Sequence, residues 1–159
     1  MSGLKVLIAE DEAVTRSLLR STLTHWGYDV VTTANGEEAC AKLKAGNIDL
    51  CVLDWEMPKM TGLDVCKWIR SSNLTPAPYS ILLTAKNDPR DIQAGYQAGA
   101  DDYVTKPFNA GELRKRMSVL AQRRLQAATE KMQASRSDSF ELYRAGFSAA
   151  RSDSQGKSR

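Results

Sequence analysis

Apolar residues form five short runs in the first 105 residues, and polar segments separate them. The runs are LKVLIA (4–9), YDVVTT (28–33), IDLCVLD (48–54), YSILLTA (79–85) and DDYVT (101–105). Runs of this length, rich in β-branched residues and bounded by turn residues, predict strands. The nearly continuous runs at 48–54 and 79–85 are typical of strands that are covered on both faces.

The segments between the runs have helical character. The first places Val14, Leu18, Leu19 and Leu23 at helical spacing and stops at Gly27. Asparagine or aspartate stands where a capping residue is needed at the start of three later helices, at Asn35, Asp88 and Asn109. Strand and helix therefore alternate five times in about 120 residues, the spacing that βαβ crossovers require.

This alternation predicts an α/β fold: a five-stranded, doubly wound parallel sheet with five helices, (βα)5, in the flavodoxin-like class. Such sheets bind ligands at the carboxyl ends of their strands, where the strand order reverses. We predict one domain over residues 1–120 and a basic C-terminal extension over 121–159. The extension begins with loosely helical spacing and becomes Ser- and Arg-rich from Ala134, a composition that predicts a flexible segment.

Composition and charge narrow the function classes. Residues 1–120 carry 14 Lys and Arg against 15 Asp and Glu, whereas residues 121–159 carry 8 against 4. The domain thus lacks a cationic excess, which disfavours nucleic acid as its partner. No run of eighteen apolar residues and no secretory signal is present in the sequence, so we expect a cytoplasmic protein without a membrane partner. The separated Cys40, Cys51 and Cys66 are expected to be reduced thiols.

Several polar residues are predicted to meet at the carboxyl edge of the sheet. Glu10 and Asp11 follow the first strand, Asp54 ends the third, Thr84 ends the fourth, and Lys106 follows the fifth. Clustered carboxylates repel each other unless a cation joins them, and hard oxygen ligands suit Mg²⁺. A lysine and a hydroxyl would complete a cradle for a phosphoryl group, with Asp54 as the nucleophile.

Four motifs, in their order and spacing along the chain, resemble those of a known family. AEDE (9–12), DWEMPKMTG (54–62), LLTA (82–85) and GADDYVTKPF (99–108) are similar to the CheY-like receiver domain of bacterial response regulators, over roughly residues 3–120. By this resemblance Asp54 is the phosphorylated residue. Glu10 and Asp11 bind Mg²⁺ together with Asp54 and the backbone carbonyl of Glu56. Glu10 departs from the family, in which Asp is commonest at this position.

The resemblance also assigns the residues that read the phosphoryl group. Thr84 turns its hydroxyl inward, Lys106 pairs with the phosphoryl group, and Tyr103 is an aromatic switch that swings from exposed to buried. The Lys106–Pro107 peptide bond is usually cis in this family.

The resemblance implies a phosphorelay protein of bacterial two-component signalling. A histidine kinase or phosphotransfer protein donates to Asp54, and the modified domain switches a protein–protein interaction surface. We expect no enzyme beyond assistance to its own phosphorylation and dephosphorylation. The alternative is a fragment of a longer regulator with a cyclic-di-GMP or phosphatase effector domain. A homodimer would form through the last strand–helix face or the helical extension.

Two details near the phosphoacceptor lead to separate hypotheses. A Glu56–Lys86 pair would partly cover the phosphoryl group and slow attack by water. Trp55, beside Asp54, is expected to be an exposed lid on the site.

Two rival readings are weaker on the residues. An FMN carrier of flavodoxin type needs phosphate-binding donors after the first strand, where Glu10, Asp11 and Glu12 would repel a phosphate. A phosphatase of the haloacid dehalogenase type has its nucleophile after the first strand, whereas Asp54 follows the third.

Overall fold

The five predicted strand–helix units are all present. The computed structural model describes the backbone of residues 3–155 and the side chains of residues 3–145. The strands begin and end within two residues of their predicted bounds. In chain order the elements are β1 (Lys5–Ala9), α1 (Ala13–His25), β2 (Asp29–Thr33), α2 (Gly36–Ala45), β3 (Leu50–Asp54), α3 (Gly62–Ser71), β4 (Tyr79–Thr84), α4 (Pro89–Gln97), β5 (Asp102–Thr105) and α5 (Ala110–Gln155).

The strands form one parallel sheet in the order β2-β1-β3-β4-β5. The chain moves from β1 outward to β2, returns to β3 on the other side of β1, and then continues to β4 and β5. The strand order therefore reverses at β1 and β3, whose carboxyl ends carry Glu10 and Asp54. Asp54 pairs in register with Leu83, so Thr84 lies one residue beyond it on the next strand. The predicted sheet is confirmed, and its switch point lies at the predicted acids.

Side chains of β3 alternate between two apolar layers, as the pleat of a strand requires. Cys51 and Leu53 lie in the layer that α2, α3 and α4 cover, whereas Leu50 and Val52 lie in the layer that α1 and the first turns of α5 cover. All five β3 residues are buried. The sheet is thus covered on both faces, and its polar edge remains the place for a site.

Helix α1 divides its apolar residues between two faces. Leu19 and Leu23 are buried against the sheet, but Val14 is 74% and Leu18 54% exposed. Periodicity placed all four in one helix and did not separate the faces. The exposed pair lies on the part of α1 that follows the acidic loop.

The C-terminal extension differs from the prediction. The described residues divide into two compact units, with the boundary between Gln122 and Arg123. We predicted a flexible segment from Ala134, but α5 continues as helix to Gln155. The segment contains no proline, and its Ala, Arg, Glu and Leu residues favour helix. The last residues of the predicted extension, 156–159, lie outside the described residues.

Two further observations concern the chain as a whole. Among the helices that the structure describes, none combines the length and apolar character needed to span a bilayer. Cys40, Cys51 and Cys66 are buried as free thiols, and burial raises the pKa of Cys66 to about 11.

Candidate functional site

Three carboxylates meet at the carboxyl edge of the sheet. Glu10 and Asp11 lie in the loop after β1, and Asp54 is the last residue of β3. One carboxylate oxygen from each lies within 4.8 Å of the other two. Glu10 is fully buried and Asp54 nearly so, whereas Asp11 is exposed. The arrangement places one accessible acid beside two that are shielded from water.

Lys106, which follows the edge strand β5, reaches this acidic cluster across the carboxyl ends of the strands. Its Nζ lies 2.9 Å from Oε1 of Glu10 and 3.2 Å from Oδ1 of Asp54. Burial lowers the pKa of Lys106, but the hydrogen bond to Glu10 and the charge of Asp54 outweigh it, so the net pKa is raised. The ammonium therefore stays charged beside Asp54. The Lys106–Pro107 peptide bond is cis, as the resemblance implied.

The environment of Glu10 fits a divalent cation. Burial raises the pKa of Glu10 to about 7, and the neighbouring Asp54 adds to the shift while Lys106 opposes it. Oε2 of Glu10 is buried without a hydrogen-bond partner among the described residues. Glu10 therefore brings an unsatisfied buried oxygen to a group of three carboxylates, each with one oxygen within 4.8 Å of the others, and carboxylate oxygens are the hard donors that Mg²⁺ prefers. The predicted ligand set thus fits the ion, although the Glu56 carbonyl stays a prediction.

The backbone of Asp54 rests on Gly62, a contact that the sequence did not reveal. A Cβ atom built on Gly62 would lie 2.2 Å from the carbonyl oxygen of Asp54. The Gly62 N–H donates to the carbonyl of Trp55 at 2.9 Å, and the Trp55 N–H donates to the carbonyl of Leu83 at 3.0 Å. The loop between β3 and α3 therefore folds directly against the end of β3 and fixes its position.

Thr84 and Tyr103 are linked through the backbone of Lys86, two residues after the end of β4. Thr84 is 1% exposed, and its Oγ1 accepts a hydrogen bond from the Lys86 N–H at 3.1 Å. The Tyr103 hydroxyl donates to the carbonyl of the same Lys86. Burial raises the pKa of Tyr103, and a hydrogen bond with Thr84 opposes the shift. Tyr103 is buried, one of the two positions expected of an aromatic switch.

The Lys86 side chain contacts both residues that follow Asp54. Its Nζ lies 3.7 Å from Oε1 of Glu56 and 5.6 Å from the centroid of the Trp55 ring. The predicted Glu56–Lys86 pair is therefore present. The expected exposure of Trp55 is wrong: this side chain is 9% exposed, and its ring packs edge to face on Tyr103 with centroids 6.3 Å apart. Packing against Tyr103 on β5 therefore buries the Trp55 ring.

Two features of the site were missed. Arg16 on α1 donates from Nη1 to the carbonyl oxygens of Glu10 and Asp11. A groove of about 680 Å³ lies beside Lys106, and its lining includes Leu18 and Phe108. A cation shortly after an acidic loop was the available signal for the first. Exposed apolar residues on α1 signal the second only once the faces of the helix are known.

Comparison with known proteins places these features in a family. The family model of the response regulator receiver domain matches residues 6–118. The alkaline phosphatase synthesis transcriptional regulatory protein PhoP of Bacillus subtilis is 42% identical over 120 residues, which cover 75% of this chain and 49% of PhoP. The chain thus spans about half the length of the curated relatives that it matches.

Solved structures agree in fold. The receiver domain of Francisella response regulator 1452 has a TM-score of 0.71 and 32% identity, covering 76% of this chain and 98% of that one. The receiver domain of the sensor histidine kinase PA1611 from Pseudomonas aeruginosa, solved with magnesium in its active-site cleft, has a TM-score of 0.70 and 28% identity over 76% of this chain and 98% of its own. This chain therefore belongs to the response regulator receiver domain family and contains the receiver domain of a two-component response regulator.

Proposed function

We propose that the chain is a switch that Asp54 phosphorylation controls. The observation that carries the proposal is the Lys106 ammonium held 3.2 Å from the Asp54 carboxylate inside an acidic cluster. An oxygen of Asp54 attacks the phosphorus of a phosphohistidine on a histidine kinase or phosphotransfer protein. The new O–P bond forms as the P–N bond breaks, and the imidazole leaves with its electron pair and takes up a proton.

The neighbours of Asp54 each have a separate task. Lys106 offers a fixed positive charge to the phosphoryl oxygens. A charge-assisted hydrogen bond from its ammonium would stabilise the phosphorylated form. Mg²⁺ held by Glu10, Asp11, Asp54 and the Glu56 carbonyl would neutralise phosphoryl charge. The Thr84 hydroxyl donates a hydrogen bond to a phosphoryl oxygen. These groups assist the transfer and the later hydrolysis, in which water attacks phosphorus, the O–P bond to Asp54 breaks, and inorganic phosphate leaves the free carboxylate behind. We propose no other reaction for this domain.

Readout follows the contacts of Lys86. In this structure Oγ1 of Thr84 accepts a hydrogen bond from the Lys86 N–H. When Thr84 turns toward a phosphoryl group, that hydrogen bond is broken. Tyr103 is tied to the carbonyl of the same residue, so its position responds to the same movement. The affected surface is formed by α4, β5 and α5, where Tyr96 is 44% exposed. Phosphorylation shifts the population between two arrangements of this surface.

The groove beside Lys106 supports a docking face for the phosphodonor. Its lining joins Leu18 of α1 to Pro107 and Phe108 after β5, next to the Lys106 side chain. Leu18 and the neighbouring Val14 are exposed apolar residues on the same helix. An apolar helix of the donor protein placed here would bring its phosphohistidine to the rim that carries Asp54.

The relatives of this chain suggest an output for the switch. Relatives at about 40% identity, PhoP and ResD of Bacillus subtilis, are transcriptional regulatory proteins about twice as long as the matched region. We therefore propose a transcriptional output for the protein that contains this receiver. Association with DNA, through a DNA-binding partner, then takes the place of the expectation that nucleic acid is disfavoured. An effector domain for cyclic-di-GMP turnover or phosphatase activity is the alternative output.

The part of α5 that follows Gln122 supports the predicted homodimer. Leu125, Met132 and Tyr143 follow one another at spacings of seven and eleven residues, which return to one face after two and three turns. They are 47%, 60% and 72% exposed. Arg123 and Glu141 fall on the opposite face by the same geometry. A second copy of this helix would cover the apolar face in the way that amphipathic helices pair.

Labelling with a small phosphodonor tests the switch. The chain is incubated with acetyl phosphate and Mg²⁺, and its intact mass is followed with time. We expect the mass of the parent to increase by one phosphoryl group. The increase should be absent in Asp54→Asn. It should also be absent when EDTA removes the metal. Asp29→Asn, an exposed acid at the opposite end of the sheet, is the matched control. Labelling of Asp54→Asn at the parental rate would refute the assignment.

A further inference from the structure

Arg16 connects helix α1 to the acidic loop that precedes it. Its Nη1 lies 2.9 Å from the carbonyl oxygen of Glu10 and 3.2 Å from that of Asp11. The side chain thus reaches back five and six residues, past the first residue of its own helix at Ala13. A single guanidinium nitrogen bridges two consecutive peptide groups at the end of β1.

The loop needs such a restraint. Glu10, Asp11 and Glu12 are consecutive acids, and the first two carry carboxylate oxygens within 4.8 Å of Asp54. Like charges at this separation repel one another and favour any movement that spreads them. Burial and the ion pair with Lys106 fix Glu10. Asp11 is exposed, so packing does not hold its side chain, and the position of its carboxylate depends on the backbone.

We propose that Arg16 is a positioning residue for the divalent-cation site. By holding the carbonyls of Glu10 and Asp11, it fixes the backbone from which both carboxylates project toward Asp54. The inference rests on the proposed function, since it concerns the ion that this site would bind. A guanidinium suits the task because it donates several N–H groups from a rigid plane, whereas the lysine ammonium is a compact point charge on a flexible stem.

Positioning and simple charge predict opposite results. If Arg16 acted only as a nearby positive charge, its removal would strengthen the binding of a second cation, because repulsion would fall. If Arg16 positions the loop, its removal weakens binding, because the carboxylates must then be ordered when the ion arrives. Loss of residues that orient metal ligands commonly weakens metal binding by about 10-fold to 100-fold.

Calorimetric titration of the full chain with MgCl₂ decides between these outcomes without any phosphodonor. We expect Arg16→Ala to bind Mg²⁺ about 10-fold more weakly than the parent. Arg16→Lys keeps the charge, and we expect it to bind more weakly than the parent as well. Arg20→Ala, an exposed arginine one turn further along α1, serves as the control and should bind as the parent does.

Each result bears on a separate statement. Equal or tighter binding by Arg16→Ala, with a parent that binds Mg²⁺, would overturn the positioning role and leave the proposed function standing. A parent that binds no Mg²⁺ would overturn both. Circular dichroism checks that each variant is folded, and if Arg16→Ala is not, Arg16→Lys decides: parental affinity there overturns the inference.

Discussion

Nζ of Lys106 lies 2.9 Å from Oε1 of Glu10, although 96 positions separate the two residues in the sequence. Lys106 follows β5 and Glu10 follows β1, with β3 and β4 between them in the sheet. The pair therefore spans the carboxyl edge above Asp54. Lys106 bonds only one oxygen of a buried carboxylate whose other oxygen lacks a hydrogen-bond partner in the described part of the chain. Burial, which the single contact with Lys106 only partly opposes, therefore governs the titration of Glu10.

We predict that the metal-free protein loses stability as the pH rises from about 4.5 to about 7. The folded-state pKa of Glu10 is raised from 4.5 to about 7, mainly by burial. The folded protein therefore holds this proton more tightly than the unfolded chain does. The stabilising contribution of the proton is fully present at pH values below the pKa of Glu10 in the unfolded chain. It is lost as the pH rises through the pKa of Glu10 in the folded protein. Its size is on the order of 1–3 kcal/mol.

Urea unfolding at a series of pH values, in EDTA, measures this dependence. The variant Glu10→Gln cannot titrate at this position. Its free energy of unfolding should therefore fall less between pH 5 and 8 than that of the parent, by an amount on the order of 1–3 kcal/mol. Glu37→Gln, which alters an exposed acid in α2, should keep the parental slope. Identical pH profiles for Glu10→Gln and the parent would contradict the prediction.

We predict that Lys86→Ala loses its phosphoryl group several-fold faster than the parent. Lys86 contacts Glu56 and the Trp55 ring, the two residues that follow Asp54, the proposed phosphoacceptor. Removing Lys86 opens one approach for water. The ion pair itself is exposed, and pairs of this kind stabilise a fold by about 0–1 kcal/mol, so a changed lifetime would not reflect unfolding.

The measurement is the decay of phosphorylated mass after the phosphodonor has been removed. Lys67→Ala, an exposed lysine on α3, should keep the parental lifetime. A parental lifetime in Lys86→Ala would mean that the Glu56–Lys86 pair does not shield the phosphoryl group.

Most of the fold could be predicted because its signals are local. Parallel strands buried on both faces give nearly continuous apolar runs, as in β3, and caps such as Asn35 and Asp88 stand where the helices begin. The meeting of Asp54 with Glu10 followed from topology alone, since carboxyl ends of parallel strands share one edge.

What could not be predicted depends on contacts between distant segments. Trp55 is buried because Tyr103 lies on β5, and the apolar residues of α1 separate into two faces only against a sheet. Arg16 offers a charge in the sequence, but its hydrogen bonds to two carbonyls require the turn between β1 and α1. The length of α5 was missed because composition was used to judge core formation instead of helix propensity.

We predict that Gly62→Ala destabilises the domain and slows phosphorylation. The new methyl group would lie 2.2 Å from the carbonyl oxygen and 2.9 Å from the carbonyl carbon of Asp54, and both are backbone atoms. The end of β3 or the loop after it must move, at a cost of about 1–3 kcal/mol. Asp54 would then be displaced from Lys106.

Urea unfolding and the rate of labelling by acetyl phosphate test the two effects together. In Gly111→Ala the added Cβ lies 3.2 Å from the flexible end of the Asn109 side chain. This control should change the unfolding free energy by less than about 1 kcal/mol, since alanine also favours helix. A Gly62→Ala protein with parental stability and labelling rate would show that Gly62 does not support Asp54.

Our last prediction concerns self-association through α5. Replacing Leu125 and Met132 together by Glu places two charges on the apolar face, where a second copy of the helix would have to desolvate them. Replacing Ala127 and Ala134 by Glu adds the same charge at the same seven-residue spacing on the opposite face. We expect the parent and the Ala127/Ala134 variant to dimerise with rising concentration, as light scattering after size exclusion reports. The Leu125/Met132 variant should remain monomeric throughout. Monomeric behaviour of the parent over the same range would exclude a homodimer through this face, and dimerisation of all three proteins would place the interface elsewhere.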